Sequence, residues 1–110
     1  MSTQAFSPRG KTSELDVTSS AHAAVQPSTD NYYTYQFVNA GSKICYIAFG
    51  IAAADASVTP AVPTNSTPGY GIPILSGEIV VYNLVPNAWI SAICGGSDTT
   101  SLFVTPGEGL

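Results

Sequence analysis

Three stretches of this chain place large apolar side chains on both sides of an extended backbone: Ile44 to Phe49, Glu78 to Leu84 and Ala88 to Cys94. A strand with one face in water alternates apolar with polar residues. These stretches do not alternate, so something must cover their second face. In so short a chain the expected cover is a second sheet for some positions and another protein for the rest.

Tyr32 to Asn39 does alternate, with Tyr33, Tyr35 and Phe37 on one face and Thr34 and Gln36 on the other. Asn39 to Lys43 reads as a turn, because Asn and Gly tolerate positive φ, and Ile44 to Ile51 as the antiparallel partner that follows. Ala53 to Pro73 carries Pro60, Pro63, Pro68 and Pro73 with Gly69 and Gly71, which predicts a long, stiff excursion. Ile72 to Leu75 reads as a short strand, and Ser76-Gly77 turns into Glu78 to Leu84. Val85-Pro86-Asn87 turns into Ala88 to Cys94. Gly95 to Asp98 is the clearest hairpin loop, leading to a last strand over Thr99 to Thr105. Helical periodicity is sustained nowhere. The pattern predicts an all-β fold over residues 31–110, an antiparallel sandwich or jelly-roll-like barrel of roughly five to seven strands.

Residues 1–30 differ from the rest. They are rich in Ser, Thr, Ala and Gln, contain Pro8 and Pro27, and hold few large apolar groups. Alone they bury too little surface to offset their ordering entropy. The expectation is an extended N-terminal arm, flexible or ordered on assembly across a neighbouring subunit. Leu15 to Thr18 and Ala21 to Gln26 alternate briefly, enough for an added edge strand.

Composition narrows the partners. With 110 residues there is room for one domain. Hydrophobic content of 45% excludes wholesale disorder, while 9% charged residues is far below the roughly 25% of ordinary domains. The water-facing surface must therefore be Ser, Thr, Asn, Gly and backbone, or be hidden in contacts. Net charge is −4, and the only cations are Arg9, Lys11 and Lys43, too few to track phosphates; no nucleic-acid partner is expected. No apolar run reaches the roughly 18 residues of a membrane helix, and the amino terminus lacks the apolar segment of a secretory signal. Synthesis in a cytoplasm is the expectation. Cys45 and Cys94 are then buried, reduced thiols, a disulfide being the alternative.

Candidate chemistry is sparse. The acids Glu14, Asp16, Asp30, Asp55, Glu78, Asp98 and Glu108 lie mostly in the arm, loops and tail, with no pairing for general acid–base work. Glu78, at a strand start, suits a role in blunting a sheet edge. His22 is the only imidazole and reads as exposed and unengaged, which leaves no nucleophile–base–orienter set. Two cysteines and one distant histidine do not make a zinc site. Gly69-Tyr70-Gly71 and Gly107-Glu108-Gly109 read as turn glycines rather than phosphate loops. Asn65-Ser66-Thr67 matches a glycosylation acceptor by chance. No enzyme, no cofactor and no metal are expected. The aromatics Tyr32, Tyr33, Tyr35, Tyr46, Tyr82 and Trp89 divide between core filling, a protein interface and a stacking platform for sugars.

The carboxy-terminal half carries a resemblance. Ala88-Trp89-Ile90-Ser91-Ala92-Ile93, a Gly/Ser/Thr turn and Ser101-Leu102-Phe103-Val104-Thr105-Pro106-Gly107-Glu108-Gly109 resemble the ending of small virion proteins of tailed bacteriophages. Tyr35-Gln36-Phe37-Val38-Asn39-Ala40-Gly41 followed by Ile47-Ala48-Phe49-Gly50 fits the same pattern. Within that group the chain most resembles capsid decoration (cement) proteins such as those of epsilon15-like short-tailed phages. The resemblance implies a jelly-roll-like fold, location on the outer capsid surface of the virion, the major capsid protein as partner, and stapling of neighbouring capsid subunits without catalysis. It also implies a homo-oligomer, with a dimer favoured and a trimer as the alternative. The competing roles are a head–tail joining or tail-associated β module, and a glycan-binding β-sandwich.

Overall fold

The computed structural model describes residues 6–109; residues 1–5 of the expected arm, and Leu110, lie outside them. The strands are β1 (Phe6–Pro8), β2 (Ser13–Val17), β3 (Thr34–Asn39), β4 (Cys45–Gly50), β5 (Ile72–Ile74), β6 (Ile79–Asn83), β7 (Trp89–Cys94) and β8 (Thr100–Gly109), with a 3-10 turn at Ala56–Val58. Every ladder is antiparallel. In one sheet β1 and β2 share an edge of β8, followed by β3 and then β6; the other runs β5-β4-β7. The protein is an all-β antiparallel sandwich, two separate sheets rather than a closed barrel.

Alternation decides what fills the space between them. In β8, Thr100, Leu102, Val104 and Pro106 are buried while Ser101, Phe103 and Thr105 are partly exposed. Leu15, Val17, Tyr35 and Phe37 join Leu102 and Val104 from the first sheet, and Cys45, Ile47, Ile74, Ile90, Ala92 and Cys94 face them from the second. Each large side chain so buried contributes about 1.5–3 kcal/mol. Phe37 and Tyr82 meet with ring centroids 6.0 Å apart. Tyr33, expected on the same face as Tyr35 and Phe37, precedes β3 and is 48% exposed.

Two expected hairpins are instead crossings between sheets. β4 does not pair with β3; it pairs with β5 and β7, and β3 pairs with β6 and β8. Likewise Gly95 to Thr99 carries the chain from β7 in one sheet to β8 in the other. Turn residues specify a reversal but not the layer in which the next strand lands. The first crossing is fastened by Asn39, fully buried. Its Nδ2 donates to Lys43 O at 2.7 Å and Ile74 O at 2.9 Å. Its Oδ1 accepts from Thr100 Oγ1 at 2.6 Å and Gly41 N at 3.2 Å.

The segment expected as a separate arm belongs, from Phe6 onward, to the sandwich itself. β1 and β2 pair with β8, and Leu15 and Val17 are fully buried. Few large apolar residues suffice when two of them enter the core and the backbone completes a ladder. Between the two strands Arg9 to Thr12 face only Thr105 and Pro106, a bulge in which Gly10 takes φ +89. The Ala40 N–H donates to Ser101 O, so odd-numbered β8 residues turn their backbone groups to β3 and even-numbered ones turn to the bulged edge. Pro106 thus points its missing N–H at the bulge, where no partner is lost, and its carbonyl accepts from Arg9 N at 2.8 Å. Beyond β2 the chain follows the edge of β7: Cys94 N donates to Thr18 O, His22 N to Ala92 O, and Val25 bridges Ile90.

The proline-rich excursion answers part of the question of the second face. In β4, Ile47 faces the core, so Ala48 and its register partner Ser91 point away from it. Both are nonetheless buried, at 3% and 1% exposure. The 3-10 turn of the excursion lies against β4 and β7, and the Ser91 hydroxyl also donates to the His22 carbonyl. A Cβ added to Gly50 would come within 2.7 Å of Ser57 Oγ and Val58 Cγ2, and Val58 is buried. Glycine at 50 is what lets the 3-10 turn sit this close.

Candidate interaction surface

On the outer face of the larger sheet, Thr34 and Gly107 are buried at one end, with the Phe6 ring against Gly107, while the rest of the face is more exposed. Register places Phe103 beside Val38 and Val38 beside Ile79, a row crossing β8, β3 and β6. Phe103 and Val38 are partly exposed, and Ile79 is 50% exposed. Gln36 and Thr105 pair directly beside them on the same face. Glu14 and Asp16, opposite Phe103 and Ser101, form an exposed acidic border. At about 4.8 Å between strands the row spans about 10 Å, enough for the apolar centre of an interface rather than a whole one.

A second apolar site is a cleft of about 320 Å³ beside the end of β4, lined by Phe49, Ile51, Tyr70, Ile72 and Val85 among others. Ile51 and Tyr70 are 74% and 60% exposed. Asp55 stands in its wall. Its Oδ1 accepts from Ser57 N at 3.0 Å and Ser57 Oγ at 2.8 Å, capping the 3-10 turn. These bonds hold its carboxyl below the usual range.

A third, more polar cleft of about 280 Å³ gathers Asp30, Asn31, Tyr32, Tyr33 and Glu108. Asn31 and Asn87, both at positive φ, bond reciprocally beside it: Asn31 N donates to Asn87 Oδ1 at 2.7 Å, and Asn87 Nδ2 to Asn31 Oδ1 at 2.9 Å. The remaining aromatics scatter. Tyr35 is fully buried, donates to Tyr32 O at 3.0 Å and accepts from Ala88 N at 3.1 Å; burial raises its phenol pKa, against a lowering by the Ala88 bond. Trp89 lies away from the Tyr32–Tyr33 cleft, in β7 opposite Gly50. No local pattern placed Glu108 beside Asp30, Tyr32 and Tyr33, because the carboxy-terminal strand had to be laid beside them first.

The titratable residues fall as follows. Cys45 and Cys94 are free, buried and opposite one another across β4 and β7. Burial pushes the Cys45 thiol up to about 12, with the neighbouring Cys94 adding to the rise. Burial raises Cys94 as well, with a contribution from Asp98. His22, expected to be unengaged, is held at β7: its carbonyl accepts from Ser91 Oγ, and its Nδ1 lies 2.7 Å from Ala23 O. Glu78 Oε1 accepts from Leu75 N at 2.9 Å, so it clamps the turn before β6. Arg9 and Glu108 form an ion pair at 3.4 Å between half-exposed side chains, worth little in water. Among the described residues no three His, Cys, Asp or Glu side chains come together. No helix among them is long and apolar enough to cross a membrane.

Compared with protein-family models, curated proteins and solved structures, the chain matches none.

Proposed function

We propose that this protein is a structural virion component, a capsid decoration (cement) protein of a tailed bacteriophage. In this reading it sits on the outer capsid surface and staples neighbouring subunits of the major capsid protein, as a homo-oligomer with a dimer favoured over a trimer. The observation that carries the reading is the partly exposed row of Phe103, Val38 and Ile79, flanked on the same face by Val81, Gln36 and Thr105 and bordered by Glu14 and Asp16. A strand face of this kind is suited to a broad protein contact, whose centre is depleted in charge.

The stapling mechanism needs no tight single contact. Packaged DNA pushes capsid subunits apart, and a bridging protein resists through the area it buries on each side. A standard interface hides about 800 Å² per partner, so the apolar row acts as its centre and the surrounding Ser, Thr and Gln as its rim. Engaging two subunits makes the second contact intramolecular and raises its effective concentration. The net charge of −4 favours encounter with a basic capsid patch.

Co-sedimentation with empty shells of epsilon15-like phages tests this. Wild-type protein is expected to pellet with the shells, and the double substitution Val38→Thr and Phe103→Ser to bind at least about tenfold more weakly with an unchanged circular dichroism spectrum. Wild-type protein that stays in the supernatant at every shell concentration overturns the reading. The Tyr32–Tyr33 cleft, with Asp30 and Glu108 at hand, supports a second reading as a glycan-binding module. Chemical-shift changes at Tyr32 and Tyr33 on a carbohydrate panel, without shell binding, would favour it.

A further inference from the structure

Four strand margins of this sandwich face outward, and three are guarded. The β1/β2 margin carries Pro8, a bulge and the charges Arg9, Lys11, Glu14 and Asp16. The β5 margin carries Pro73. The outer margin of β7 is occupied by residues 18–25 of the same chain. Proline, charge, bulges and covering segments are how sheets prevent edge-to-edge pairing. β6, Ile79-Val80-Val81-Tyr82-Asn83, has none of these, and among the described residues no strand pairs with its outer side. Glu78, the charge preceding it in sequence, is engaged with Leu75 N.

The ladder determines what this margin offers. Asn39 N donates to Glu78 O and Leu84 N to Tyr33 O. Between these two bonded pairs, antiparallel alternation turns the backbone groups of Val80 and Tyr82 toward β3. The N–H and C=O of Ile79 and Val81 therefore point outward. We propose that β6 is the self-association edge of this protein, pairing antiparallel with β6 of a second copy about a two-fold axis at Val80. In that register Ile79 lies opposite the partner's Val81, and Val81 opposite the partner's Ile79. Each pair exchanges both N–H···O bonds, and two five-stranded sheets become one continuous sheet. The two Glu78 carboxylates fall roughly 14 Å apart at about 3.4 Å per residue, beyond the screening length of about 8 Å at physiological salt. A second copy thus brings a matching uncharged edge with no like-charge conflict, and the isologous contact closes at two. This deepens the homo-oligomer part of the reading above and is independent of what the oligomer binds.

Sedimentation velocity over a wide concentration range tests it, with amide hydrogen exchange read alongside. Wild-type protein is expected to pass from the 11.3 kDa protomer to twice that mass. The Ile79 and Val81 amides should slow by about tenfold or more on concentration, while Val80 and Tyr82 stay protected throughout. Val81→Pro deletes an outward N–H and no bond to β3, so it should leave a folded monomer. Should that variant fail to fold, Ile79→Glu, at a half-exposed side chain beside Glu78, should also leave a monomer. A wild-type protein monomeric at millimolar concentration overturns the proposal, as does a dimer in which the Ile79 and Val81 amides keep their fast exchange. Shell binding is scored separately. A monomer that pellets with shells sinks only the edge proposal, and a β6 dimer that ignores shells sinks only the capsid reading.

Discussion

Asn39 shows how one side chain fixes the path of the chain. Its donors and acceptor tie the β3–β4 crossing to the end of β5 and the start of β8, the bonds to Ile74 and Thr100 being fully buried. Asn39→Ala leaves two carbonyls and the Thr100 hydroxyl without that partner, at about 1–3 kcal/mol for each group left unsatisfied. The expected result is a fall in melting temperature of more than about 10 °C; a change within a couple of degrees would contradict the role. Cys45 makes a second prediction, with a definite sign. Its thiol is raised from 9.0 to about 12, so the folded state holds a proton that the unfolded chain releases first. The stability this contributes is whole below about pH 9 and drains away as pH climbs toward about 12. Cys94 and Tyr35, also raised, act in the same direction. Thermal melts should therefore be flat to about pH 9 and decline above it, less steeply in Cys45→Ala. In the native protein neither thiol should react with a disulfide reagent at neutral pH, and rapid labelling of both would refute their burial.

At the level of elements, the amino-terminal strands are the least expected contributors. β2 supplies Leu15 and Val17 to the core, and residues 18–25 close the margin of β7. Removing residues 1–30 should therefore abolish cooperative unfolding rather than free a folded domain from a tail. A truncated protein with dispersed amide resonances and a sharp melt would show these strands to be dispensable. The excursion at 51–71 is a second element with a structural role. Its prolines keep it out of the ladders, and the same stiffness lowers the entropy lost when it lies flat over β4 and β7.

For the whole molecule, the two sheets differ in what lies outside them. The smaller sheet is partly covered on its outer face by the chain's own loop, which buries Ala48 and leaves Tyr46, Trp89 and Ile93 partly exposed. The larger sheet leaves the row of Phe103, Val38 and Ile79 partly in water and the β6 margin unpaired. These are different surfaces, one a face and the other an edge. A dimer through β6 would extend the row across the axis and double the area presented to a capsid. Shell binding by the dimer should then exceed that of Val81→Pro by more than the two-fold change in copy number, as the avidity argument requires.

What the sequence determined by itself is the list of strands and the class of fold. Period-two alternation in Tyr35 to Asn39 and in β8, continuous apolar runs in β4, β6 and β7, and glycine and asparagine at the reversals are all local signals, readable without a partner strand. Even the short stretches around Leu15 and Val25 carried that signal. Only the tertiary structure decided which layer each strand joins, that Asn39 is a buried clamp rather than a turn residue, and that a proline-rich loop covers part of the second face. It also decided which margin is left open. These are choices among packings with the same local chemistry, settled by which arrangement buries the most apolar surface while giving most backbone groups a partner.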